Sequence, residues 1–361
     1  MKHYVGLDVS MKETFICLVD ETGKVIKQGR AKTDPEAIAE YLRKTNLLID
    51  RSGVESGSMS YWLVEELKKQ GIPAICIDAR KMATVLSVQV NKTDKNDARG
   101  IADAMRCGMY REVVQKSERA IEAGTLLGSR RLMITQKVQL TNAVRGFLKT
   151  YGIRLGTSGD KTFAEKVREK LSGNHALAKE GIEELLKCFE KACEGIKKLT
   201  AKIEELAQED EDTRRLMTIP GIGPITALSY KTEIGDPKRF KNSRAVGAYL
   251  GMTPKQYSSG ETKRQGRISK CGSTEMRFLL NEAATVMMAR SKKWSKVKAW
   301  GLKIQRKHGF KKATMAVGRK LAVIMHRMLL DKSDFIYGEP KEEKQKTDNK
   351  KLGSLDLAQA V

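Results

Sequence analysis

The first hundred residues of this 361-residue chain alternate between short apolar runs and amphipathic segments, and this alternation restricts the fold more than any other feature. Apolar runs with a period of two predict strands, and longer amphipathic stretches predict helices. The predicted elements are strands at 5–9, 14–19 and 25–30, a helix at 35–43, a strand ending at Val54, a helix through 62–67 and a strand at 73–77. This order, a hairpin start followed by strand and helix in turn, indicates an α/β domain.

Four acidic residues occupy comparable places in this pattern. Asp8 and Glu55 each end an apolar segment, while Asp94 and Asp97 open a helix that follows Lys92-Thr93. Many α/β folds show the same alternation, so the positions of the acids are needed to choose among these folds. They lie where an RNase H-like nuclease fold would gather metal ligands, and we expect that fold for residues 1–115.

Asp94 and Asp97 are one helical turn apart, so their Cβ atoms should lie about 5–6 Å apart. The same helix face continues with Ile101 and Met105, which must face the core. Carboxylates in line with a buried stripe are costly unless a cation neutralises them, and Mg²⁺ prefers a few carboxylates completed by water and phosphate oxygens. Two such ions, or one shared ion, would suit phosphoryl transfer.

Each acid alone also has a structural explanation, because acidic side chains are favoured at helix starts by capping and by the helix dipole. Four acids at strand ends and on one helix face are harder to explain in that way. We therefore expect a Mg²⁺ site formed by Asp8, Glu55, Asp94 and Asp97, acting on nucleic-acid phosphates, and no organic cofactor.

The net charge of +24 arises from 68 Lys and Arg residues against 44 Asp and Glu residues. Between Tyr257 and Lys320 there are 17 basic and 3 acidic residues, which places 14 of the 24 excess charges in one stretch. Clustering of this kind indicates a polyanionic partner such as DNA or RNA, although a basic surface that serves only solubility is the alternative.

Six cysteines form no CxxC pair, so we expect reduced thiols and no zinc site. No apolar run approaches the length of a membrane span, and the first residues lack the apolar core of a secretory signal. The expected location is the cytoplasm, in association with the nucleoid, without a membrane partner.

Long helices are expected over residues 116–210. Apolar residues recur every seven positions in the first part, and steps of three and four follow in the second. The first set is Leu126, Met133, Leu140, Val144 and Phe147; the second is Ile182, Leu185, Phe189, Ala192, Ile196, Leu199, Ile203 and Leu206. The spacing predicts a coiled-coil arm, and a helical hairpin within one chain is the equal alternative.

A mainly helical domain is expected over residues 211–336, followed by a disordered tail at 337–361. Within it, Pro220-Gly221-Ile222-Gly223-Pro224 resembles the turn of a helix-hairpin-helix, in which amides near a helix start can hold a backbone phosphate. Such glycine-rich turns also simply link helices.

A serine motif follows at Tyr257-Ser258-Ser259-Gly260, with several cations and glycines behind it. A serine there could act as a covalent nucleophile if a base or metal takes its proton and cations stabilise the phosphorane. On residue types alone, a serine that only binds phosphate fits as well. The residues expected to contact nucleic acid are Gly221, Gly223, Lys263, Arg264, Arg267, Lys270, Arg277, Lys292, Lys293 and Lys296.

These motifs, in this order and spacing, resemble the DEDD-type insertion-sequence transposases, also called bridge-RNA-guided DNA recombinases, whose relatives include the Piv-type DNA invertases. The resemblance covers residues 3–330. Its signatures are Gly6-Leu7-Asp8-Val9-Ser10, Val54-Glu55-Ser56-Gly57, the segment from Lys92 to Arg99, Pro220-Gly221-Ile222-Gly223-Pro224, and Tyr257-Ser258-Ser259-Gly260 with Arg264, Gly266, Ser269-Lys270 and Gly272.

The resemblance implies a RuvC-like domain that carries the four acids, a coiled-coil arm, and a transposase domain whose serine forms a covalent link to DNA. Ser259, directly before Gly260, best matches the nucleophile of the family, with Ser258 as its competitor. The resemblance also implies a homo-oligomer, from dimer to tetramer, with composite active sites, and a structured bridge RNA that pairs with target and donor DNA.

The leading interpretation is a recombinase that cuts and exchanges DNA strands through the Mg²⁺ site and Ser259. Two other functions remain open on the residues. One is a RuvC-like nuclease that resolves branched DNA with metal-activated water, and the other is an architectural nucleic-acid-binding protein without chemistry.

Overall fold

The computed structural model describes residues 1–87, 91–171 and 175–337. Contacts divide the chain into two compact units, Met1–Ser117 and a second unit that starts at Glu118. The expected disordered tail falls on residues that lie outside the described part, except for Tyr337, whose hydroxyl donates to Thr218 O at 2.8 Å. Among the described residues, none of the helices has an apolar stretch of the length that a bilayer requires.

The first unit contains a five-stranded mixed sheet with the order β3-β2-β1-β4-β5. Its strands are β1 His3–Val9, β2 Glu13–Asp20, β3 Val25–Lys32, β4 Ile49–Glu55 and β5 Ala74–Ile77. The first three strands pair antiparallel, and β1, β4 and β5 run parallel. The predicted order of strands is confirmed, and the mixed sheet is consistent with an RNase H-like transposase domain.

Four helices of this unit lie against the sheet: α1 Pro35–Arg43, α2 Ser60–Lys69, α3 Ala79–Leu86 and α4 Asp94–Cys107. Leu42 of α1 and Leu63 of α2 pack with Leu7 on one face of the sheet. Ile101 of α4 packs with Tyr4 on the opposite face. Alternation of side chains along the strands therefore supplies two apolar layers, one on each side of the sheet.

The second unit begins with three helices, α5 Glu118–Thr150, α6 Asp160–Lys170 and α7 Ala176–Glu209. Val144 near the end of α5 packs with Ile182 near the start of α7. Ala123 near the start of α5 packs with Ile203 near the end of α7. The two long helices therefore run antiparallel, so the heptad residues pair as a helical hairpin within one chain.

The buried face of α5 is rotated from the predicted seam. Phe147, a predicted seam position, is 51% exposed, while its neighbour Leu148 is buried. Leu127 is buried in place of Leu126, which only packs against the edge of the cluster. Two of the residues expected at the seam therefore lie beside the buried stripe that α5 turns toward α7.

The remaining helices of the second unit surround one large apolar core, which contains Tyr230, Leu280 and Leu321. They are α8 Glu211–Met217, α9 Pro224–Ile234, α10 Ser243–Tyr249, α11 Thr274–Thr285, α12 Lys296–His308 and α13 Phe310–Asp331. A two-stranded antiparallel hairpin, β6 Pro254–Ser259 and β7 Thr262–Ile268, leaves this helical body between α10 and α11.

Candidate active site

Neighbouring parallel strands place Asp8 and Glu55 at one edge of the sheet. Strands β1 and β4 pair in a register that ends with Leu7 opposite Val54, so the two acids follow directly after the last pair. Leu7 and Val54 face the layer of α1 and α2. Because successive residues of a strand point to opposite faces, Asp8 and Glu55 lie on the face that α4 covers.

Two glycines let α4 approach this face closely. A Cβ at Gly6 would lie 1.9 Å from Ala98 O in α4, and one at Gly53 would lie 2.9 Å from Met105 Sδ. Each glycine stands two residues before an acid, as Gly6-Leu7-Asp8 and Gly53-Val54-Glu55. The role of these two glycines was not predicted, and the repeated Gly-x-acid pattern is the sequence signal for it.

The first turn of α4 carries the other two acids. Thr93 caps the helix by accepting a hydrogen bond from Asn96 N, and Asp94 is the first helical residue. Arg30 of β3 makes an ion pair with Asp94 at 3.6 Å. Asp97 is half-buried, and its neighbour Ala98 is fully buried against the sheet. The helix start therefore lies at the end of the sheet where Asp8 and Glu55 project.

The charges of the four acids act on one another. Burial raises the pKa of the Asp8 carboxyl above its ordinary value of 3.8, and the charges of Asp97 and Asp94 raise it further. Burial likewise raises the pKa of Glu55 above 4.5, with further contributions from Asp8 and Asp97. The positive charge of Lys92 acts in the opposite direction on both groups. The acids thus form one electrostatic cluster.

A divalent metal fits the chemistry of these donors. Within the described ranges no three side chains of His, Cys, Asp or Glu already stand in a metal-binding arrangement. The four carboxylates nevertheless supply only hard oxygen donors, which suit Mg²⁺. Their mutual repulsion also means that a bound cation would relieve a cost that the protein otherwise carries. Asp8, Glu55, Asp94 and Asp97 are the residues that could hold it.

The serine motif lies on the β6–β7 hairpin of the second unit. All side chains of β6 are exposed, and Gly260 at the tip adopts a φ of +53°, which favours glycine. The hairpin was not predicted, because its residues show no apolar alternation. Ser258 pairs with Lys263 and Ser259 with Thr262, so the two serines project from opposite faces.

Arg277 closes the base of this hairpin from inside the protein. It is 8% exposed, and its guanidinium donates to Leu250 O at 3.2 Å, to Gly272 O at 2.6 Å and to Thr274 Oγ1 at 2.9 Å. The expectation that Arg277 contacts nucleic acid is corrected in consequence, since the side chain is buried and donates these three hydrogen bonds within the fold. A Cβ at Gly272 would lie 2.2 Å from Tyr249 O, so the chain that enters the hairpin from α10 and the chain that leaves it toward α11 are in close contact.

The glycine-rich turn between α8 and α9 has two different glycines. Gly221 adopts a φ of +89°, and a Cβ there would lie 2.5 Å from Ala283 O, so it serves packing against α11. Gly223 precedes the first turn of α9 and has open space around it. Of the two, Gly223 is the one with room for a phosphate.

The other residues expected at nucleic acid lie mostly on the surface. Lys292 and Lys296 are exposed, while Lys293 lies over the Tyr337 ring at 5.2 Å. Trp294 and Trp300 are 44% and 41% exposed, so their rings are not core residues. Of the hairpin-region cations expected at nucleic acid, Arg264, Arg267 and Lys270 are exposed; the side chain of Lys263 lies outside the described part.

The structure gathers the four acids in the first unit and places Ser259 with the basic residues in the second. Two family models match these parts separately. A transposase model, of the DEDD type of IS110 elements, matches residues 5–153. A model described as the IS116/IS110/IS902 transposase family matches residues 213–299.

Several curated proteins are similar to this chain. The transposase for insertion sequence element IS1111A of Coxiella burnetii is 29% identical over 332 residues, which span 90% of this chain and 89% of that protein. The transposase for insertion sequence element IS1328 of Yersinia enterocolitica is 32% identical over 208 residues, or 56% and 61% of the two chains. The pilin gene-inverting protein of Moraxella bovis is 31% identical over 123 residues, or 33% and 37%.

Proposed function

This chain belongs to the DEDD-type insertion-sequence transposases, and from that premise we propose that it cuts and exchanges DNA strands to move its own element. The proposal assigns Mg²⁺ to Asp8, Glu55, Asp94 and Asp97 and the nucleophilic role to Ser259. It is supported by four carboxylates, from β1, β4 and α4, at one end of a sheet, where burial and the charges of neighbouring acids raise the pKa of Asp8 and of Glu55.

The acids would hold the cation and, through it, the phosphate to be attacked. When bound, Mg²⁺ supplies Lewis-acid polarisation of phosphate oxygens. Asp8 and Glu55 are fixed by the sheet, and Asp94 and Asp97 by the capped start of α4, so all four carboxylates approach from rigid elements. Lys92 adds positive potential beside them, which favours an approaching phosphate.

Ser259 would supply the attacking oxygen. Its Oγ forms a bond to phosphorus, the bond between phosphorus and the leaving strand oxygen breaks, and the serine proton passes through solvent to that oxygen. One end of the cut strand then remains linked to the protein through the phosphate, and the other end carries a free hydroxyl. This route stores the phosphodiester energy in the protein link, so the strands can be rejoined without a cofactor.

A structured guide RNA and a homo-oligomer complete the proposal. The excess of 24 positive charges exceeds what solubility requires and suits more than one nucleic-acid partner. The acids and the serine belong to different units of the chain, which is compatible with active sites that two subunits share.

The test is a strand-exchange assay in which the gene, within its own element and flanking DNA, is carried on a donor plasmid beside a target plasmid. We expect Ser259→Ala and Asp97→Ala to abolish the recombined product, because the first removes the proposed nucleophile and the second removes one of the proposed Mg²⁺ ligands. Ser258→Ala is the matched control and should retain it. Full recombination by Ser259→Ala would exclude this serine as the nucleophile.

A nuclease that uses metal-activated water is the second candidate. Among the described residues none makes a hydrogen bond to the hydroxyl of Ser259, whereas the acid cluster is built within the first unit alone. If this candidate is correct, Ser259→Ala still cuts branched DNA and Asp97→Ala does not. The strand-exchange assay, read together with cleavage of a four-way DNA junction, separates the two functions.

A further inference from the structure

The pairing of the β6–β7 hairpin separates its side chains into two faces. Tyr257 lies opposite Arg264, and Gln256 lies opposite Gln265. Residues directly opposite each other share a face, and successive residues alternate between faces. Ser259 therefore shares a face with Tyr257 and Arg264, which we call the Ser259 face. Ser258 lies on the other face, together with the two glutamines and with Lys263, which is directly opposite Ser258 in the register.

Arg264 is the cation on this face that stands within reach of Ser259. It lies opposite Tyr257, two residues from Ser259 along β6, so the two residues are diagonal neighbours. Diagonal neighbours in an antiparallel pair have Cα atoms about 7–8 Å apart, which long side chains span. An arginine extended toward the tip thus brings its guanidinium beside the serine hydroxyl.

The guanidinium of Arg264 is available for an anion. The side chain is exposed, and no described carboxylate forms an ion pair with it. The ring of Tyr257 leans toward the base of the hairpin, because a Cβ at Gly266 would meet its Cε2 atom at 3.2 Å. The path from Arg264 to Ser259 is therefore left open.

We propose that Arg264 is a catalytic residue that binds the phosphate attacked by Ser259. The planar fork of a guanidinium can donate to both non-bridging oxygens of one phosphate. As the Ser259 Oγ–P bond forms and the bond to the leaving oxygen breaks, negative charge grows on these oxygens, and Arg264 keeps its protons throughout. Its bonds strengthen in the transition state, so they raise the rate more than the affinity.

This inference rests on the proposed function, because it requires Ser259 to be the nucleophile. Only one of the two serines shares a face with Arg264, and Ser258 faces away from it. The hairpin is held at its base by the hydrogen bonds from Ser269 N to Thr253 O and from Lys270 N to Gly251 O, which fixes the orientation of both faces.

The test uses the full-length protein and a labelled DNA duplex that spans the end of its element. The initial rate of formation of the detergent-resistant protein–DNA species is measured, and DNA affinity is measured in parallel. We expect Arg264→Gln to lower the rate by about 10²–10³-fold, with affinity changed only a few-fold. Arg264→Lys should fall between, since it keeps the charge without the fork.

Lys255→Gln is the matched control. Lys255 is an exposed cation of the same hairpin, four residues from Ser259 along β6. Four residues of a strand span about 13 Å, so its side chain does not reach the serine. The variant should keep the rate within about threefold. Equal losses of rate in Arg264→Gln and Lys255→Gln would overturn the proposal and show that only the positive charge of the hairpin matters.

A second substrate isolates the chemical step. A methylphosphonate at the cleaved position removes the charge of the non-bridging oxygens, so the rates of wild type and Arg264→Gln should converge on it. A rate difference that persists there would contradict direct contact with these oxygens. Ser259→Ala distinguishes failure of the proposed function from failure of this inference. If Ser259→Ala still forms the DNA adduct, the proposed function is wrong. If Ser259→Ala forms no adduct and Arg264→Gln reacts at the wild-type rate, only the role of Arg264 is wrong.

Discussion

The absence of one carbon atom at Gly6 decides how close α4 comes to the sheet. A Cβ would lie 1.9 Å from Ala98 O, and a backbone oxygen in a packed helix cannot move aside without moving the helix. Ala98 follows Asp97 directly, so a displaced helix also moves an acid. The position of the acid cluster therefore depends on a residue that carries no functional group.

We expect Gly6→Ala to destabilise the first unit by about 1–3 kcal/mol and to abolish recombination, because overpacking displaces α4. Urea unfolding is followed by Trp62 fluorescence in a background where Trp294 and Trp300 are Phe, so that one tryptophan remains and it reports the first unit. Gly57→Ala is the control, because a Cβ there meets only Glu55 O, at 4.0 Å. Similar losses in both variants would contradict the close-packing explanation.

The ionised carboxylate of Asp8 lowers the free energy of unfolding when no metal is bound. Its folded pKa lies above the ordinary value of 3.8, so ionisation opposes folding. This penalty is absent below 3.8, grows as pH rises from 3.8 to the raised value, and is constant above it. We expect Asp8→Asn to be more stable than wild type at pH 8 with a chelator, because the variant has no charge at this partly buried position. The gain should vanish near pH 4, and Mg²⁺ should stabilise wild type but not the variant.

Asp103→Asn is the comparison for this prediction. Asp103 lies on the same helix but pairs with Arg99 at 3.8 Å and with Arg106 at 3.5 Å, so its removal should give no gain. Thermal unfolding at several pH values measures both variants. Loss of stability in Asp8→Asn at pH 8 would show that its charge is not held at a cost.

At the scale of elements, the predictability of the fold depends on where apolar residues lie. The strands and first helices of the sheet domain have one or two buried faces, so their periods appear in the sequence. The β6–β7 hairpin has exposed polar residues throughout β6, and no period could reveal it. The heptads of α5 and α7 predicted the long helices, but a seam inside one chain and a seam between chains have the same spacing.

The prediction for Arg277 was wrong because it rested on residue type alone. Sequence shows a cation in a basic stretch, whereas the fold uses it to bridge Leu250 O and Gly272 O, which lie 22 residues apart in the chain. The four acids were predictable because strand ends and a helix start fix their positions. A side chain that donates hydrogen bonds to carbonyls far away in the chain has no recognisable sequence pattern.

We expect Arg277→Met to destabilise the second unit by about 2–3 kcal/mol, since the carbonyls of Leu250 and Gly272 lose a charged donor. The amides of Ser269 and Lys270, bonded to Thr253 O at 2.8 Å and to Gly251 O at 3.0 Å, should exchange hydrogen faster. Arg264→Met is the control and should change neither stability nor exchange. Unchanged protection of both amides in Arg277→Met would show that the arginine does not hold the hairpin base.

At the scale of the whole molecule, positive charge is concentrated where nucleic acid is proposed to bind. Lys292 and Lys296 are exposed beside the partly exposed Trp294. Neutralising both lysines to Gln should lower the slope of log affinity against log salt by about 2, because each phosphate contact contributes about 0.9 on duplex DNA.

Lys187 and Lys191 on α7 provide a control with the same change in net charge. They pair with Glu184 at 2.7 Å and with Glu194 at 2.9 Å, so neutralising them should leave the slope unchanged. Filter binding of a DNA duplex over a salt series measures both double variants. Equal slopes for the two would show that only net charge matters and that Lys292 and Lys296 lie off the nucleic acid.

We propose that the acid cluster and Ser259 act in the same DNA-cleavage reaction, although they lie in different units of the chain. The direct test is to trap the covalent protein–DNA species with Mg²⁺, digest it and locate the nucleotide by mass spectrometry. We expect a nucleotide on Ser259 in wild type and none in Asp97→Ala or Ser259→Ala. Strand exchange without a nucleotide-bearing peptide, or with the nucleotide on Ser258, would contradict it.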